Sequence, residues 1–429
     1  MLLKDSKYIW HPFSQMMQET SILPIDSAKN SLLFYKDSAG KQQEIIDAIS
    51  SWWVITHGHC NENLIEAATD QIKKLDQVIF AGCTHQPAVN FAENLITTLG
   101  QPFSKVFYSD NGSTSVEIAV KMAIQYHKQV KKKVTSKPKI IVALENSYHG
   151  DTFGGMSISG RGVLSGHFSE YLFEVKHIPY PINIESSIEA LKKINNEYEI
   201  ITIILEPLVQ GAAGMKMYSI DALKSILEFA KENEILTIFD EVFTGFGRTE
   251  KLFAFQNIHN LTPDFLCLSK GISGGMLPLA ATVTTDQIYD AFLDSTLDKA
   301  FLHGHSFTGN AIALAVADEN LKLLKSTESI NSRININAKH KEFIQTLEKN
   351  AHVFNPRVLG TILAFDLNTS SKGYTGFQFR DEIRKFAIEN NVLLRPIGNT
   401  IYTAPPYCIT NEQLYKIYDL MCKILEQYI

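Results

Sequence analysis

The stretch from 200 to 270 contains short apolar runs that each end in an ionisable side chain. These runs are IITIILE (200–206), ILTIFDE (235–241) and FLCLSK (265–270). Between the first two, DALKSILEFAKEN (221–233) carries apolar residues at helical spacing. Short β-rich runs that alternate with a helix indicate a mostly parallel sheet covered by helices, so this stretch predicts an α/β fold.

The same pattern continues outward on both sides of this stretch. KIIVALE (139–145) and LAATVTT (279–285) predict further buried strands, and VFY (106–108) precedes a predicted amphipathic helix, TSVEIAVKMAIQYHKQV (114–130). After about residue 310 the pattern changes to long helices mixed with strand-like segments, such as VLGTILAFDLN (358–368). This change predicts a large domain with a mostly parallel sheet and a smaller α+β domain.

Three segments follow from this pattern. We expect an N-terminal segment (1–50) that packs with the smaller domain, a large domain (51–310) and a C-terminal small domain (311–429). Within the first segment, LLFYKDSAGKQQEIIDA (32–48) predicts a hairpin with its turn at Ser38-Ala39-Gly40.

Composition limits the classes of function. Hydrophobic residues make up 45% of the 429 residues and charged residues 20%, which is typical of a globular protein, and the formal net charge is −6. Nucleic acids and anionic membranes require a concentrated basic surface, so neither is an expected partner. The one dense basic run, Lys131-Lys132-Lys133, is interpreted as a solvated helix end or loop.

The cysteines and the N-terminal residues indicate in which compartment the protein is expected. The five cysteines are odd in number and form no Cys-x-x-Cys pair, which argues against a disulfide framework or a zinc site and fits a reducing compartment. The start, MLLKDSKYIWHPF (1–13), lacks the features of a secretion signal, and no segment approaches the ~20 apolar residues of a membrane helix. A cytoplasmic location is therefore expected.

The residues that follow the predicted strands carry candidate chemistry, because ligands of open α/β sheets gather at the carboxyl ends of strands. The turn Asp110-Asn111-Gly112-Ser113-Thr114 opens a helix, whose free N–H groups and dipole suit a phosphate, although an ordinary helix cap has the same pattern. Tyr148 follows another strand and could stack on a flat ring or lie in the core.

Two charged residues follow the next predicted strands. Asp240 ends an apolar run and needs a cationic or hydrogen-bonding partner, for which a pyridinium nitrogen and a structural ion pair are both possible. Lys270 also follows an apolar strand, where burial would lower its pKa and make it a nucleophile towards a carbonyl; a surface lysine is the alternative. Four successive strand ends thus carry an anion site, an aromatic ring, a carboxylate and a lysine. Together these groups favour a ligand with a phosphorylated, cationic ring that bears an aldehyde.

These segments resemble the class III aminotransferases of the fold-type I pyridoxal-phosphate enzymes. The resemblance covers nearly the whole chain, and its blocks are SYHGDTFG (147–154), DEVFTGFGRT (240–249), LSKGISGGMLPLAA (268–281) and HGHSFTGN (303–310). It implies a pyridoxal-phosphate-dependent aminotransferase that works as a homodimer with shared active sites.

Three further segments resemble one branch of this family. They are IWHPFSQM (9–16), SSWWVITHGH (50–59) and LLRPIGNTIYTAPPY (393–407). The branch converts 8-amino-7-oxononanoate to 7,8-diaminononanoate in biotin synthesis, usually with S-adenosylmethionine as the amino donor and in some members with lysine. Other readings stay open: a different class III enzyme, such as an ω-amino acid aminotransferase or an aminomutase, and a non-enzymatic regulator that retains the fold.

The resemblance also implies roles for individual residues. Lys270 is the catalytic residue and holds the cofactor as a Schiff base, and no metal is expected. The expected cofactor-binding residues are Gly112, Ser113, Tyr148, Asp240, Lys270 and Ser306, of which Ser306 reaches the phosphate in the neighbouring subunit. The expected substrate-binding residues are Trp52, Trp53, Tyr148, Lys270, Gly304 and Arg395, with Arg395 on the carboxylate. Further candidates near the pocket are Asp151, Glu206, Arg248 and Tyr402.

Two positions depart from the common pattern of the family. Many relatives carry Tyr where this chain has Phe13, so a hydroxyl that would bond the substrate is missing. Relatives commonly carry Thr where this chain has Ser306, and serine keeps the hydroxyl that a phosphate would bind.

Overall fold

A computed structural model describes residues 1–17, 22–37, 39–130, 136–368 and 380–428 of the chain. The basic run Lys131-Lys132-Lys133 and the predicted turn residue Ser38 lie outside the described residues. The chain divides into two compact units, a large unit (62–334) and a small unit (1–61 with 335–429). These limits differ from the predicted boundaries at 50/51 and 310/311, which remain a prediction.

The described residues form the following helices: α1 (Leu2–Tyr8), α2 (Ser50–Trp53), α3 (Glu62–Ile72), α4 (Gln86–Leu99), α5 (Gly112–Val130), α6 (Phe153–Ile158), α7 (Ile184–Glu197), α8 (Ile220–Glu232), α9 (Asp286–Asp290), α10 (Ala311–Leu324), α11 (Thr327–Leu347), α12 (Arg380–Glu389) and α13 (Asn411–Tyr428). Short 3-10 helices cover Gly166–Tyr171, Ala254–Asn257, Lys270–Ser273 and Leu297–Lys299.

The strands are β1 (Ile25–Lys29), β2 (Leu32–Lys36), β3 (Gln42–Asp47), β4 (Phe103–Ser109), β5 (Lys139–Leu144), β6 (Lys176–Ile178), β7 (Glu199–Leu205), β8 (Val209–Gln210), β9 (Lys216–Met217), β10 (Leu236–Asp240), β11 (Phe265–Leu268), β12 (Ala280–Thr285), β13 (Val353–Leu359), β14 (Ile362–Leu367), β15 (Val392–Leu393) and β16 (Thr400–Thr403).

A seven-stranded sheet forms the centre of the large unit, in the order β4-β12-β11-β10-β7-β5-β6. Its pairs are parallel except those of β12, which runs antiparallel to both β4 and β11. Helix α5 packs its buried face, including Val116 and Ala119, against strand residues such as Ile204 and Ile238. The predicted α/β fold with a mostly parallel sheet is confirmed.

The order of the strands corrects one expectation. Of the four strands whose ends were singled out from the sequence, only β10 and β11 are neighbours in the sheet, because antiparallel β12 lies between β4 and β11, and β7 lies between β10 and β5. The insertion of β7 brings Glu206, which directly follows that strand, between the ends that carry Asp240 and Tyr148. The strand order depends on long-range packing, which the local pattern of a sequence does not encode.

The small unit contains two sheets. One has the order β1-β2-β3-β15, in which β2 and β3 form the predicted hairpin, with Lys36 opposite Gln42. In the same sheet β15 pairs parallel to β3, so residues from both ends of the chain share one sheet. The other sheet has the order β13-β14-β16. Among the described residues, no helix is both long and apolar enough to cross a membrane.

Candidate active site

Asp240 stands at the end of β10, in the middle of the large sheet. It is 5% exposed, and its Oδ2 lies 2.8 Å from Nδ1 of His149, which is itself 2% exposed. The other oxygen, Oδ1, accepts a hydrogen bond from the N–H of Val242 at 3.0 Å. The buried carboxylate is therefore held in place by a ring and a backbone amide, as its burial requires.

Lys270 follows the neighbouring strand, β11, whose Cys267 is paired with Asp240 in the sheet. Its φ of 46° is left-handed, which for a lysine is a strained conformation that turns the chain sharply at the strand end. Burial lowers the pKa of the Lys270 amine to about 8, against the opposing negative charges of Asp240 and Glu206. A neutral amine is consequently accessible near neutral pH, which is the state that attacks a carbonyl.

Glu206 is a third charged group at this edge of the sheet. It is 6% exposed, its Oε2 accepts from the N–H of Tyr148 at 3.3 Å, and its Oε1 accepts from the N–H of Gly211 at 3.2 Å. Burial raises the pKa of Glu206 to about 7, and the charge of Asp240 acts in the same direction. Glu206 thus fixes the backbone of the segment that carries Tyr148 and His149.

The start of α5 is the segment for which the sequence predicts an anion site. Asn111 caps this helix, since its side chain accepts from the N–H of Thr114 at 3.0 Å. Among the described residues, the backbone N–H groups of Gly112 and Ser113 have no acceptor. A Cβ added to Gly112 would lie 2.7 Å from Cγ1 of Val242, so only glycine lets the helix start this close to the segment after β10.

A loop packs beside this helix start. The Ser113 hydroxyl lies 3.1 Å from the Thr152 hydroxyl, and Gly150 has a φ of 111° with no room for a side chain next to Ser113. Glu117 on α5 accepts hydrogen bonds from the Thr152 hydroxyl at 2.6 Å and from the N–H of Gly154 at 2.8 Å. The loop after Tyr148 is therefore anchored to the helix whose start is the predicted anion site.

The segment 303–310 holds two further predicted residues. Gly304 and Ser306 are both exposed, and the carbonyl of Ser306 accepts a hydrogen bond from the Gln77 side chain at 3.2 Å. Between them, Nε2 of His305 lies 3.9 Å from a carboxylate oxygen of Asp110, in the turn before α5. In the described part of the chain, no hydrogen bond or ion pair joins Ser306 to the groups around Lys270.

In the small unit, a buried carboxylate shapes the turn that carries the tryptophan pair. Asp47 is fully buried and accepts from the N–H of Ser51 at 2.9 and 2.7 Å and from the ring of His59 at 2.8 Å. These contacts stabilise left-handed backbone at Ser50, Ser51 and Trp53.

The two tryptophans lie in different environments. Trp53 is 6% exposed and its indole N–H donates to the Tyr402 hydroxyl at 3.0 Å. Trp52 is 39% exposed, with the Phe13 ring 5.5 Å away edge-on and the guanidinium carbon of Arg395 5.0 Å from its ring centre. Trp52, Phe13 and Arg395 therefore form one exposed aromatic and cationic cluster, whereas Trp53 packs in the core of the small unit.

Sequence reasoning missed several of these residues. His149 stands next to Tyr148 and directly after a strand, but nothing local shows that it meets Asp240, 91 residues away. Asp47 has no sequence signal except its position before the tryptophan pair. Of the further candidates, Arg248 is buried and its positive charge also lowers the pKa of Lys270, whereas Asp151 is exposed.

The groups in the large unit fit a phosphorylated pyridine aldehyde. Lys270 supplies an amine of lowered pKa, the Asp240 carboxylate suits a ring nitrogen that carries a proton, and the N–H groups of Gly112 and Ser113 suit a phosphate. The buried Nε2 of His149 has no hydrogen-bond partner within the described residues, so this nitrogen can form one further hydrogen bond.

Comparisons with known proteins agree with this geometry. A family model described as aminotransferase class-III matches residues 15–425. An adenosylmethionine-8-amino-7-oxononanoate aminotransferase of Synechococcus elongatus is 38% identical over 431 residues, which cover 98% of this chain and 99% of that protein. An enzyme of the same name from Helicobacter pylori is 37% identical and covers 99% of this chain and 97% of its own length.

Solved structures show the same relationship. The enzyme of that name from Methanocaldococcus jannaschii superposes with a TM-score of 0.91 at 32% identity, over 99% of both chains. An omega transaminase from Pseudomonas jessenii, solved in complex with PMP, superposes with a TM-score of 0.88 at 26% identity, over 99% of this chain and 97% of that one. The fold, the placement of Lys270 and the matched family model together identify the chain as a pyridoxal-phosphate-dependent member of the class III aminotransferases.

Proposed function

We propose that this enzyme transfers an amino group to 8-amino-7-oxononanoate and so forms 7,8-diaminononanoate, a step of biotin synthesis, with S-adenosylmethionine as the amino donor. The observation that carries the choice of substrate is the cluster in the small unit, where the cation of Arg395 lies over the exposed ring of Trp52. A guanidinium beside an aromatic surface suits a carboxylate on an apolar chain. Full-length similarity to enzymes named for this reaction supports the proposal.

Pyridoxal phosphate, when bound, supplies an electron-poor ring that stabilises negative charge on the carbon that bears the amino group. We assign the Asp240 carboxylate to the ring nitrogen and Tyr148 to the face of the ring. The N–H groups at the start of α5, from Gly112 and Ser113, would hold the phosphate, because the dipole of a 19-residue helix adds to their hydrogen bonds.

Lys270 has two functions in the proposal. Its Nζ would hold the bound cofactor through the aldehyde, and the same Nζ, when free, would accept the proton from the donor carbon and later supply the proton to the acceptor carbon. Its pKa of about 8 places this amine near the pH of a cell, which is the favourable range for moving a proton in both directions.

The substrate residues are assigned as follows. Arg395 would receive the carboxylate and Trp52 would contact the apolar chain, while Tyr148 and Gly304 would lie beside the substrate. Trp53 would act mainly by supporting Trp52, because its indole N–H already bonds Tyr402. Phe13 packs against Trp52 without offering a hydroxyl, so a substrate at this point would meet apolar surface.

We further propose a cytoplasmic homodimer. Ser306 would bind the cofactor phosphate of the neighbouring subunit, and its exposed position within one chain agrees with that role. Each active site would then need two chains.

Purified protein loaded with pyridoxal phosphate tests the proposed reaction. It should form 7,8-diaminononanoate from 8-amino-7-oxononanoate, detected by mass spectrometry, with S-adenosylmethionine as the donor, and lysine is assayed beside it as the alternative donor. Lys270→Ala is the matched control and should lose turnover by at least about 1000-fold together with the visible absorption of the bound cofactor. Transamination of ω-amino acids to pyruvate without any 7,8-diaminononanoate would contradict the proposal.

A further inference from the structure

The turn that carries the tryptophan pair has an unusual backbone. Ser50 and Ser51 have φ values of 52° and 59°, and Ser51 combines its φ with a ψ of −84°. Residues other than glycine adopt such conformations only where the surrounding contacts hold them. Trp52 lies between Ser51 and Trp53, whose φ is 66°, so the direction of its ring depends on what holds these two neighbours.

Asp47 holds the residue before Trp52. Both of its carboxylate oxygens accept a hydrogen bond from the N–H of Ser51, at 2.9 and 2.7 Å, and Oδ2 also accepts from the Ser51 hydroxyl at 3.1 Å. Oδ1 accepts from the N–H of Ile49 at 3.2 Å. The carboxylate is fully buried, where hydrogen bonds to a charged acceptor are strong. One side chain therefore fixes the backbone on both sides of Ser50.

His59 in turn holds the carboxylate of Asp47. Its Nε2 lies 2.8 Å from Oδ2 of Asp47, in a side chain that is 12% exposed. The backbone of His59 is itself fixed by a β-bridge, because its N–H donates to the carbonyl of Asn30 at 2.6 Å and its carbonyl accepts from the N–H of Asn30 at 3.0 Å. The orientation of the carboxylate is therefore set by a donor whose own position is determined.

Trp52 forms one wall of a cavity in the small unit. The cavity has a volume of about 320 Å³, and its lining includes apolar side chains such as Leu33 together with Arg395. The guanidinium carbon of Arg395 lies 5.0 Å from the centre of the Trp52 ring. Neither Asp47 nor His59 is among the described residues that line this cavity. Both residues therefore act on a ligand in the cavity through the turn and not by contact.

We propose that Asp47 is a positioning residue for the amino acceptor, and that His59 assists it by fixing its carboxylate. Asp47 holds Trp52 so that the ring meets the aliphatic chain of the acceptor, whose carboxylate binds Arg395. The proposal rests on the proposed function in taking 8-amino-7-oxononanoate as that acceptor. A ring that is in place before the chain arrives loses less conformational entropy on binding than a ring that must first be ordered.

The test uses Asp47→Asn, in which one of the two accepting oxygens becomes a donor at nearly the same volume. Nonanoate, a nine-carbon acid without the amino and keto groups, is titrated by calorimetry into the enzyme loaded with pyridoxal phosphate. Asp47→Asn should weaken nonanoate binding about 10-fold, the loss expected when one aromatic wall no longer covers an aliphatic chain. It should raise KM for 8-amino-7-oxononanoate by the same factor and leave kcat nearly unchanged.

The affinity for pyridoxal phosphate provides an internal comparison. Lys270 belongs to the large unit, whereas Asp47 belongs to the small unit. The dissociation constant of the cofactor should therefore change by less than about twofold in Asp47→Asn.

A double-mutant cycle shows whether Asp47 acts through Trp52. Trp52→Ala removes the ring, so the addition of Asp47→Asn to Trp52→Ala should weaken nonanoate binding further by less than about twofold. If the two losses instead multiply, Asp47 does not act through Trp52 and the proposal is overturned. His59→Gln keeps an N–H donor and should bind nonanoate more tightly than His59→Leu, and equal binding by these two variants would refute the role of His59.

His340→Leu is the matched control for a loss of stability. His340 is fully buried in the small unit, and its ring nitrogens lie 2.7 Å from the Tyr418 hydroxyl and 3.2 Å from the carbonyl of Thr361. Both His340→Leu and Asp47→Asn lose buried hydrogen bonds and should lower the melting temperature. Only Asp47→Asn should weaken nonanoate binding, and equal weakening by both variants would assign the effect to stability and exclude a positioning role.

The outcomes separate this inference from the proposed function. If Asp47→Asn binds nonanoate and converts 8-amino-7-oxononanoate as the wild-type enzyme does, Asp47 is not a positioning residue and the proposed reaction stands. If nonanoate binding depends on Asp47 through Trp52 but 8-amino-7-oxononanoate is not converted, the positioning role stands and the proposed reaction is refuted. Should Asp47→Asn fail to fold, the same cycle is run with His59→Leu, and wild-type affinity for nonanoate in that variant overturns the proposal.

Discussion

Lys270 and the groups around it show how burial and charge act on a single side chain. Burial alone would lower the pKa of its amine further, but the negative charges of Asp240 and Glu206 limit the shift, so that the pKa stays near 8. The same burial raises the pKa of Glu206 to about 7. A lysine and a carboxyl group that both titrate near neutrality are suited to proton transfer. A solvent-exposed lysine and carboxyl group would keep their ordinary pKa values, which lie far from neutrality.

His149 is the residue whose contribution is best isolated by mutation. Its Nδ1 lies 2.8 Å from Asp240 in a buried environment, where a lost hydrogen bond costs about 1–3 kcal/mol. His149→Phe keeps a ring and removes both nitrogens, so we expect pyridoxal phosphate to bind about 5- to 100-fold more weakly and kcat to fall. Cofactor titration followed by absorbance measures the first effect, and steady-state assays measure the second.

The exposed His167 provides the control for this substitution. His167→Phe should leave both cofactor affinity and kcat at the wild-type values. Wild-type cofactor affinity in His149→Phe, with Asp240 still required, would show that the contact between His149 and Asp240 does not contribute to cofactor binding.

At the scale of elements, the start of α5 depends on a close approach to the segment after β10. Gly112→Ala would place a Cβ 2.7 Å from Val242 and so displace the helix start, whereas Gly162→Ala meets nothing within 4 Å. We expect Gly112→Ala to weaken the binding of pyridoxal phosphate by about 10-fold or more, because the N–H groups would no longer converge on one phosphate oxygen. Gly162→Ala should bind as the wild type does.

Glu241 directly follows β10 and binds a loop through two hydrogen bonds. Its titration makes the free energy of unfolding of the protein depend on pH. Its fully buried carboxyl group accepts from the N–H of Ala254 at 2.6 Å and of Phe255 at 2.8 Å. Burial raises the pKa of Glu241 from 4.5 to about 7. Because the folded-state pKa lies above the unfolded one, the stabilising effect is fully present below pH 4.5 and is lost as pH rises through 7.

Glu241→Gln removes this titration. The variant should show a shallower loss of unfolding free energy between pH 4.5 and 7 than the wild type, by up to about 3 kcal/mol, in urea unfolding followed by circular dichroism. Parallel curves for both proteins across this range would mean that Glu241 does not carry a raised pKa. Glu206 titrates in the same window in both proteins, so it does not affect the difference.

At the scale of the whole molecule, the proposed dimer can be tested through Ser306. Its side chain is exposed, so Ser306→Ala should change the melting temperature by less than about 2 °C but weaken cofactor binding about 10-fold. In mixed dimers with Lys270→Ala chains, the site that belongs to the Ser306→Ala chain receives an intact Ser306 from its neighbour. That site should regain wild-type cofactor affinity; if mixing restores nothing, Ser306 does not act across the dimer.

Much of the fold and part of the site could be predicted because they depend on local patterns. The runs that became β5, β7, β10, β11 and β12 have apolar residues and lengths typical of buried strands, and the helical spacing in 221–233 is a property of that segment alone. The position of Asp240 and Lys270 at the same edge of the sheet followed from a general rule, since the carboxyl ends of parallel strands face the same edge.

The sequence by itself therefore determined the central strands of the large sheet, the helix at 221–233, and the positions of the amine at 270 and the carboxylate at 240 after two of those strands. Only the tertiary structure decided that β12 lies between β4 and β11 and β7 between β10 and β5, that His149 bonds Asp240, and that Asp47 bonds Ser51 and His59. The physical reason is that backbone preferences act over a few residues, whereas these contacts depend on how strands are ordered and packed, which no short stretch of the chain specifies.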